Sequence, residues 1–62
     1  MNRHKVLVVD DDRKTVAMIR LYLEHEGYEV LSAYDGQQAL ETTQTQSPDL
    51  IVLDLMLPQV GG

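Results

Sequence analysis

The sequence predicts an α/β fold of the doubly wound kind, with parallel strands and helices alternating as β-α-β-α-β. Two apolar runs, Val-Leu-Val-Val at 6–9 and Leu-Ile-Val-Leu at 50–53, lack the alternation of a half-exposed strand. They read as strands covered on both faces, as parallel strands are. Helix-like segments follow the first run and precede the second, with a short β-branched segment between them. Strands and helices in strict alternation, joined by short connections, argue for right-handed crossovers.

The first strand, 6–9, stops at Asp10, Asp11 and Asp12, residue types that favour turns and helix N-caps. A helix is expected over 14–26. Thr15, Met18, Ile19, Tyr22 and Leu23 fall at helical spacing and define its packed face. Val16, Ala17 and Leu21 extend the apolar surface beyond that stripe, which predicts an exposed apolar patch. Asp12 is expected to cap the helix or stabilise its first turn, and Gly27 sits where a left-handed C-cap residue belongs. The second strand is expected over 28–33. Asp35 with Gln38 three residues on resembles a capping box. A second helix then runs to about Gln46, although Thr42, Thr43 and Thr45 are poor helix formers. Pro48 lies just past its end. The third strand, 50–53, runs into Asp54, and the segment 55–62, with Pro58, Gly61 and Gly62, reads as loop.

Composition narrows the function classes. A chain of 62 residues is one domain at most. It has no cysteine, hence no disulfide framework and no thiolate metal site. Its apolar runs are far too short to span a membrane, and its first residues do not resemble a secretory signal peptide. Ten acidic against five basic residues give a net charge of −5. That disfavours a polyanion-binding surface, so no direct nucleic-acid contact is expected; a bound cation is the more natural partner.

The carboxylates suggest where such a cation would sit. Parallel strands place all their C-terminal ends on one edge. With the first strand between the other two, in order 2-1-3, right-handed crossovers put the helices on opposite faces, and a switch point opens between strands one and three. Neighbouring strands lie about 4.8 Å apart, so Asp10, Asp11 and Asp54 would cluster there. Two like charges about 4 Å apart repel by roughly 4 kcal/mol at an effective dielectric of 20. A hard dication such as Mg²⁺, held by carboxylates, water and a phosphoryl oxygen, would relieve that repulsion. Asp54 could then act as a nucleophile toward phosphorus, giving an aspartyl phosphate.

These residues resemble a known family. Val-Leu-Val-Val-Asp-Asp at 6–11, Gly-Tyr-Glu-Val at 27–30, Ala-Tyr-Asp-Gly at 33–36 with Ala39 and Leu40, and Pro-Asp-Leu-Ile-Val-Leu-Asp at 48–54 followed by Met-Leu-Pro at 56–58 are similar, in order and spacing, to the receiver domain of two-component response regulators. The resemblance implies a flavodoxin-like fold, of which residues 1–62 would be the N-terminal portion, without strands four and five. It implies that Asp54 accepts phosphate from a histidine kinase or a small phosphodonor. Asp11 would bind Mg²⁺ directly, Asp10 through water, and the Met56 backbone carbonyl would be a further ligand. A cytoplasmic signalling module, rather than an enzyme, follows. The family's hydroxyl residue after strand four, its switch aromatic and its lysine have no counterpart in this stretch, and Gly61 stands where the family often has Asp or Ser.

Other readings compete. Asp-x-Asp at 10–12 is reminiscent of the nucleophile motif of haloacid-dehalogenase-type phosphatases, with Asp10 as nucleophile. That family prefers Thr or Val where Lys14 stands. In order 2-1-3 the third strand is an apolar edge with no Lys or Pro to block pairing. The chain is therefore also expected to self-associate, two such edges meeting about a two-fold axis to give a homodimer. Asp35 and Asp49 are expected as cap and turn residues. His4, His25, Lys5 and Lys14 are expected at the surface.

Overall fold

A computed structural model describes residues 3–53. Its elements are β1 (Lys5–Val9), α1 (Arg13–His25), β2 (Glu29–Ala33), α2 (Gly36–Gln46) and β3 (Leu50–Leu53). The strands form one parallel sheet in order β2-β1-β3. The predicted α/β order and topology are thus those of the molecule, a truncated flavodoxin-like arrangement.

β1 is central because it is the strand that can be buried on both faces. Val6, Leu7 and Val8 are fully buried. Side chains alternate across a strand, so Val6 and Val8 face one side of the sheet and Leu7 and Val9 the other. On the first side Val6, Val8 and Val30 pack with Val16 of α1; Ile19, Leu23, Tyr34 and Val52 border this cluster. α2 contacts β1 and β2 but not α1, and lies over the second side, where Leu7 and Ala33 are buried.

The packed face of α1 differs from the sequence expectation. Val16, Ile19 and Leu23 meet the sheet, whereas Met18 and Tyr22, expected there, are about two-thirds exposed. Ala17 and Leu21 are exposed as expected and are joined by Met18 and Tyr22, whereas Val16 belongs to the core rather than to the patch. Residues 16–19 and 21–23 of this helix are all apolar, so periodicity does not fix its rotation. The narrow β-branched surface of Val6, Val8 and Val30 accepts Val16 and sets the phase.

Helix ends account for most of the boundary shifts. α1 begins at Arg13, one residue before the expected start, because Asp12 is its N-cap and accepts from the Lys14 N–H at 3.0 Å. At the other end the Tyr28 N–H donates to the Leu23 carbonyl and the Gly27 N–H to the Glu24 carbonyl, with Gly27 at φ +98°. This is a Schellman closure. It uses Tyr28 to end the helix, so β2 starts at Glu29 rather than at 28. In α2, Thr43 and Thr45 donate their hydroxyls to the Ala39 and Glu41 carbonyls one turn back. These bonds let poor helix formers sit in the helix. Ser47 caps α2 in the left-handed region, at φ 50°.

Three substitutions test this packing. Val16→Ala removes two methyl groups from a closed site and is expected to lower stability by about 2 kcal/mol. Met18→Ala is expected to change it by no more than about 0.5 kcal/mol, a contrast that urea titration resolves. Ser47→Gly relieves a left-handed side-chain conformation and is expected to raise stability by about 1 kcal/mol, read as an increase in Tm.

Candidate functional site

The three strands end flush. Val9 is in register with Ala33 of β2 and with Leu53 of β3. The residue after Val9 is Asp10, and the residue after Leu53 in the sequence is Asp54. The flush ending fixes the position of Asp10, whose N–H donates to the Ala33 carbonyl at 3.2 Å, extending the ladder by one bond.

From there the chain turns tightly into α1. The Asp10 carboxylate (Oδ1) accepts the Asp12 N–H at 2.9 Å, an Asx turn that orients the Asp10 side chain at the sheet edge. Asp12 then caps α1 with both carboxylate oxygens, one accepting from the Lys14 N–H and the other from the Thr15 hydroxyl, each at 3.0 Å. Asp11, between them, is exposed and has no hydrogen bond or ion pair among the described residues. The three consecutive aspartates thus have different tasks: Asp10 shapes the turn, Asp12 holds the helix and Asp11 faces solvent.

The same edge receives α2. Its N-cap, Asp35, accepts the Gln38 N–H at 2.8 Å. The Gln38 side chain reaches back to the Tyr34 N–H at 2.9 Å rather than to the cap's own N–H, so the expected capping box closes one residue earlier. The Arg13 guanidinium lies 4.1 Å from the Tyr34 ring centre and joins the start of α1 to the end of β2. Two helix N-termini with their positive dipole ends therefore flank an acidic turn.

Of the sequence-predicted site residues, the structure places Asp10 and Asp11 together at this edge; Asp54 and the Met56 carbonyl lie outside the described residues. Among the described residues no three acidic or histidine side chains converge as a metal site. The donors present are carboxylate oxygens, the chemistry that Mg²⁺ accepts. A second ionic cluster lies at the opposite, N-terminal edge. There Asp49 accepts the Lys5 N–H at 2.8 Å and lies 3.7 Å from His4, and Lys5 Nζ donates to the Gln46 carbonyl. Asp49 is thus a clamp between β1 and the α2–β3 turn. Lys5 is remote from the acidic turn, and His4 is exposed, as expected. The Arg13–Tyr34 contact had no distinct sequence signal, because Tyr34 lies outside the strand pattern and meets Arg13 only through the fold.

Asp12→Ala removes the acceptor for two groups of the first helical turn and is expected to cost about 1 kcal/mol. Asp11→Ala is expected to leave stability within about 0.5 kcal/mol. Thermal unfolding of the two variants without metal tests this division of labour.

Comparison with known proteins agrees with this geometry. Residues 6–62 match the response regulator receiver domain. The chain is 50% identical over 62 residues to the alkaline phosphatase synthesis transcriptional regulatory protein PhoP of Bacillus subtilis, covering all of this chain and 25% of that protein. It is 47% identical over 58 residues to the response regulator ArlR of Staphylococcus saprophyticus, covering 94% of this chain and 26% of the relative. Against the transcriptional regulatory protein CpxR of Escherichia coli K12 it is 44% identical over 59 residues, covering 95% of this chain and 25% of the relative. The chain spans about a quarter of the length of these relatives. With the order 2-1-3 and the acidic turn after β1, the match leads to one assignment: the chain belongs to the response regulator receiver domain family.

Proposed function

We propose that this chain is the phosphoaccepting, N-terminal portion of a cytoplasmic two-component receiver, with Asp54 as the residue that takes the phosphoryl group from a histidine kinase. The observation that carries the reading is the flush pairing of Val9 with Leu53. It makes Asp10 and Asp54 the next residues along two hydrogen-bonded strands, while the turn after Asp10 leaves Asp11 open to solvent. An Asp54 carboxylate oxygen attacks phosphorus, and the donor's phosphoramidate or acyl-phosphate bond breaks as the new P–O bond forms. Asp10 and Asp11, with Asp54 and the Met56 carbonyl, are the residues that would hold Mg²⁺. When bound, Mg²⁺ would offset the repulsion between the acidic turn and the oxygens of the incoming phosphate. The positive helix ends of α1 and α2 act in the same direction. In this reading the chain is a signalling module and not an enzyme, and in the whole protein its phosphorylation feeds an output such as transcription control.

A second reading, self-association without phosphotransfer, is favoured by one observation. Leu50, Ile51 and Leu53 of β3 are 57%, 44% and 56% exposed, and among the described residues neither helix packs along that strand.

Intact mass after incubation with Mg²⁺ and acetyl phosphate separates the two. The first reading expects the gain of one phosphoryl group, lost in Asp54→Asn and reduced in Asp11→Ala. No gain from a chain shown by circular dichroism to be folded would overturn it and leave association as the property of this segment.

A further inference from the structure

Asp11 is an exposed carboxylate without a hydrogen bond or ion pair among the described residues, and a cation, Arg13, stands two residues further on. The nearby acids are already engaged: Asp12 uses both oxygens on the first turn of α1, and Asp35 accepts the Gln38 N–H as the cap of α2. Arg13 is the first residue of α1, the end of a helix where the macrodipole opposes a positive charge. Pairing with Asp11 would offset that repulsion. Yet Arg13 makes no ion pair among the described residues, where the pairs are His4 with Asp49 and Arg20 with Glu24. Its guanidinium instead lies 4.1 Å from the centre of the Tyr34 ring, well inside the reach of a cation–π contact, about 6 Å. The ring is a fixed platform. It packs against the core cluster of Val6, Val8, Val16 and Val30, and the Tyr34 N–H is held by the Gln38 side chain at 2.9 Å. Tyr34 follows Ala33, whose carbonyl receives the Asp10 N–H, so the platform stands on the β2 side of the acidic turn. The gap between β1 and β3 lies on the other side.

We infer that Tyr34 is a positioning residue for the cation site: it holds Arg13 on the β2 side of the acidic turn and so leaves the Asp11 carboxylate open to Mg²⁺. This rests on the reading that Asp10 and Asp11 hold that ion. At exposed sites a cation–π contact and a surface ion pair are of similar strength, so the presence of the ring is enough to decide which of the two Arg13 makes. Without the ring, Arg13 is free to pair with Asp11. That pair must break before a dication can bind, and a guanidinium beside the carboxylates repels the incoming ion. Tyr34 therefore raises cation affinity without touching the cation, and it acts only through Arg13.

The test is a titration of the full-length protein with MgCl₂ at low ionic strength, followed by the NMR shifts of the amides of residues 10–12. Tyr34→Leu removes the ring and keeps an apolar side chain against the core. It is expected to weaken Mg²⁺ binding about threefold, the scale of an exposed ion pair. Tyr34→Phe keeps the ring and is expected to bind as the native protein does. Arg13→Gln added to Tyr34→Leu is expected to restore the affinity, whereas Lys14→Gln added in its place is not. The deficit of Tyr34→Leu is expected to shrink in about 1 M NaCl, where the screening length is about 3 Å. Unchanged affinity in Tyr34→Leu would overturn the inference. So would a deficit that Arg13→Gln leaves in place, which marks altered packing, or one that Lys14→Gln repairs equally, which marks net charge. The native protein supplies a check that needs no variant. The Arg13 δ-protons are expected to carry an upfield ring-current shift with and without Mg²⁺, and unshifted protons would overturn the inference. If Asp11→Ala binds Mg²⁺ as tightly as the native protein, the site reading itself fails, and the inference with it.

Discussion

The structure depends on β1 being hydrogen-bonded on both sides and covered on both faces. A strand in that position has no surface for a polar side chain. Val6, Leu7 and Val8 meet the demand with three consecutive apolar residues, all fully buried. Once β1 is central, parallel right-handed crossovers place α1 and α2 on opposite faces. The C-terminal ends of all three strands then fall on one edge. The acidic turn follows, because Asp10 is the first polar residue beyond the buried segment.

That turn shows how a run of like charges is tolerated. Each aspartate has a different local environment: Asp10 accepts a backbone N–H within the turn, Asp12 neutralises the exposed donors of the first helical turn, and Asp11 is solvated. Two helix N-termini nearby lower the electrostatic cost of the remaining charge. The same features that let the chain fold around the acidic run also leave a site hospitable to a cation or a phosphoryl group. Structural and functional roles are therefore interleaved residue by residue.

β3 is the counterpart of β1. Both are uninterrupted apolar runs, and the sequence alone treats them alike. β1 is bonded on both sides and covered above and below; among the described residues β3 is bonded to β1 alone, and of its side chains only Val52 packs against the core. Its exposure reflects position in the sheet, not composition.

By itself, the sequence determined the element order, the sheet order, the parallel sense, the caps at Asp12, Asp35 and Gly27, and the position of the acidic turn. These are local or chain-topological properties: turn chemistry acts over a few residues, and crossover handedness leaves few alternatives. Even the family is legible at this level, because its motif residues are those the edge requires. The rotation of α1 was decided only in three dimensions. A helix apolar at 16–19 and again at 21–23 has no unique face until Val6, Val8 and Val30 choose Val16 over Met18 and Tyr22. The start of β2 at Glu29, the closure of Gln38 onto Tyr34, the Asp49 clamp and the Arg13–Tyr34 contact were likewise decided there. Each joins groups whose approach depends on how separate elements pack, and no pattern along one element encodes it.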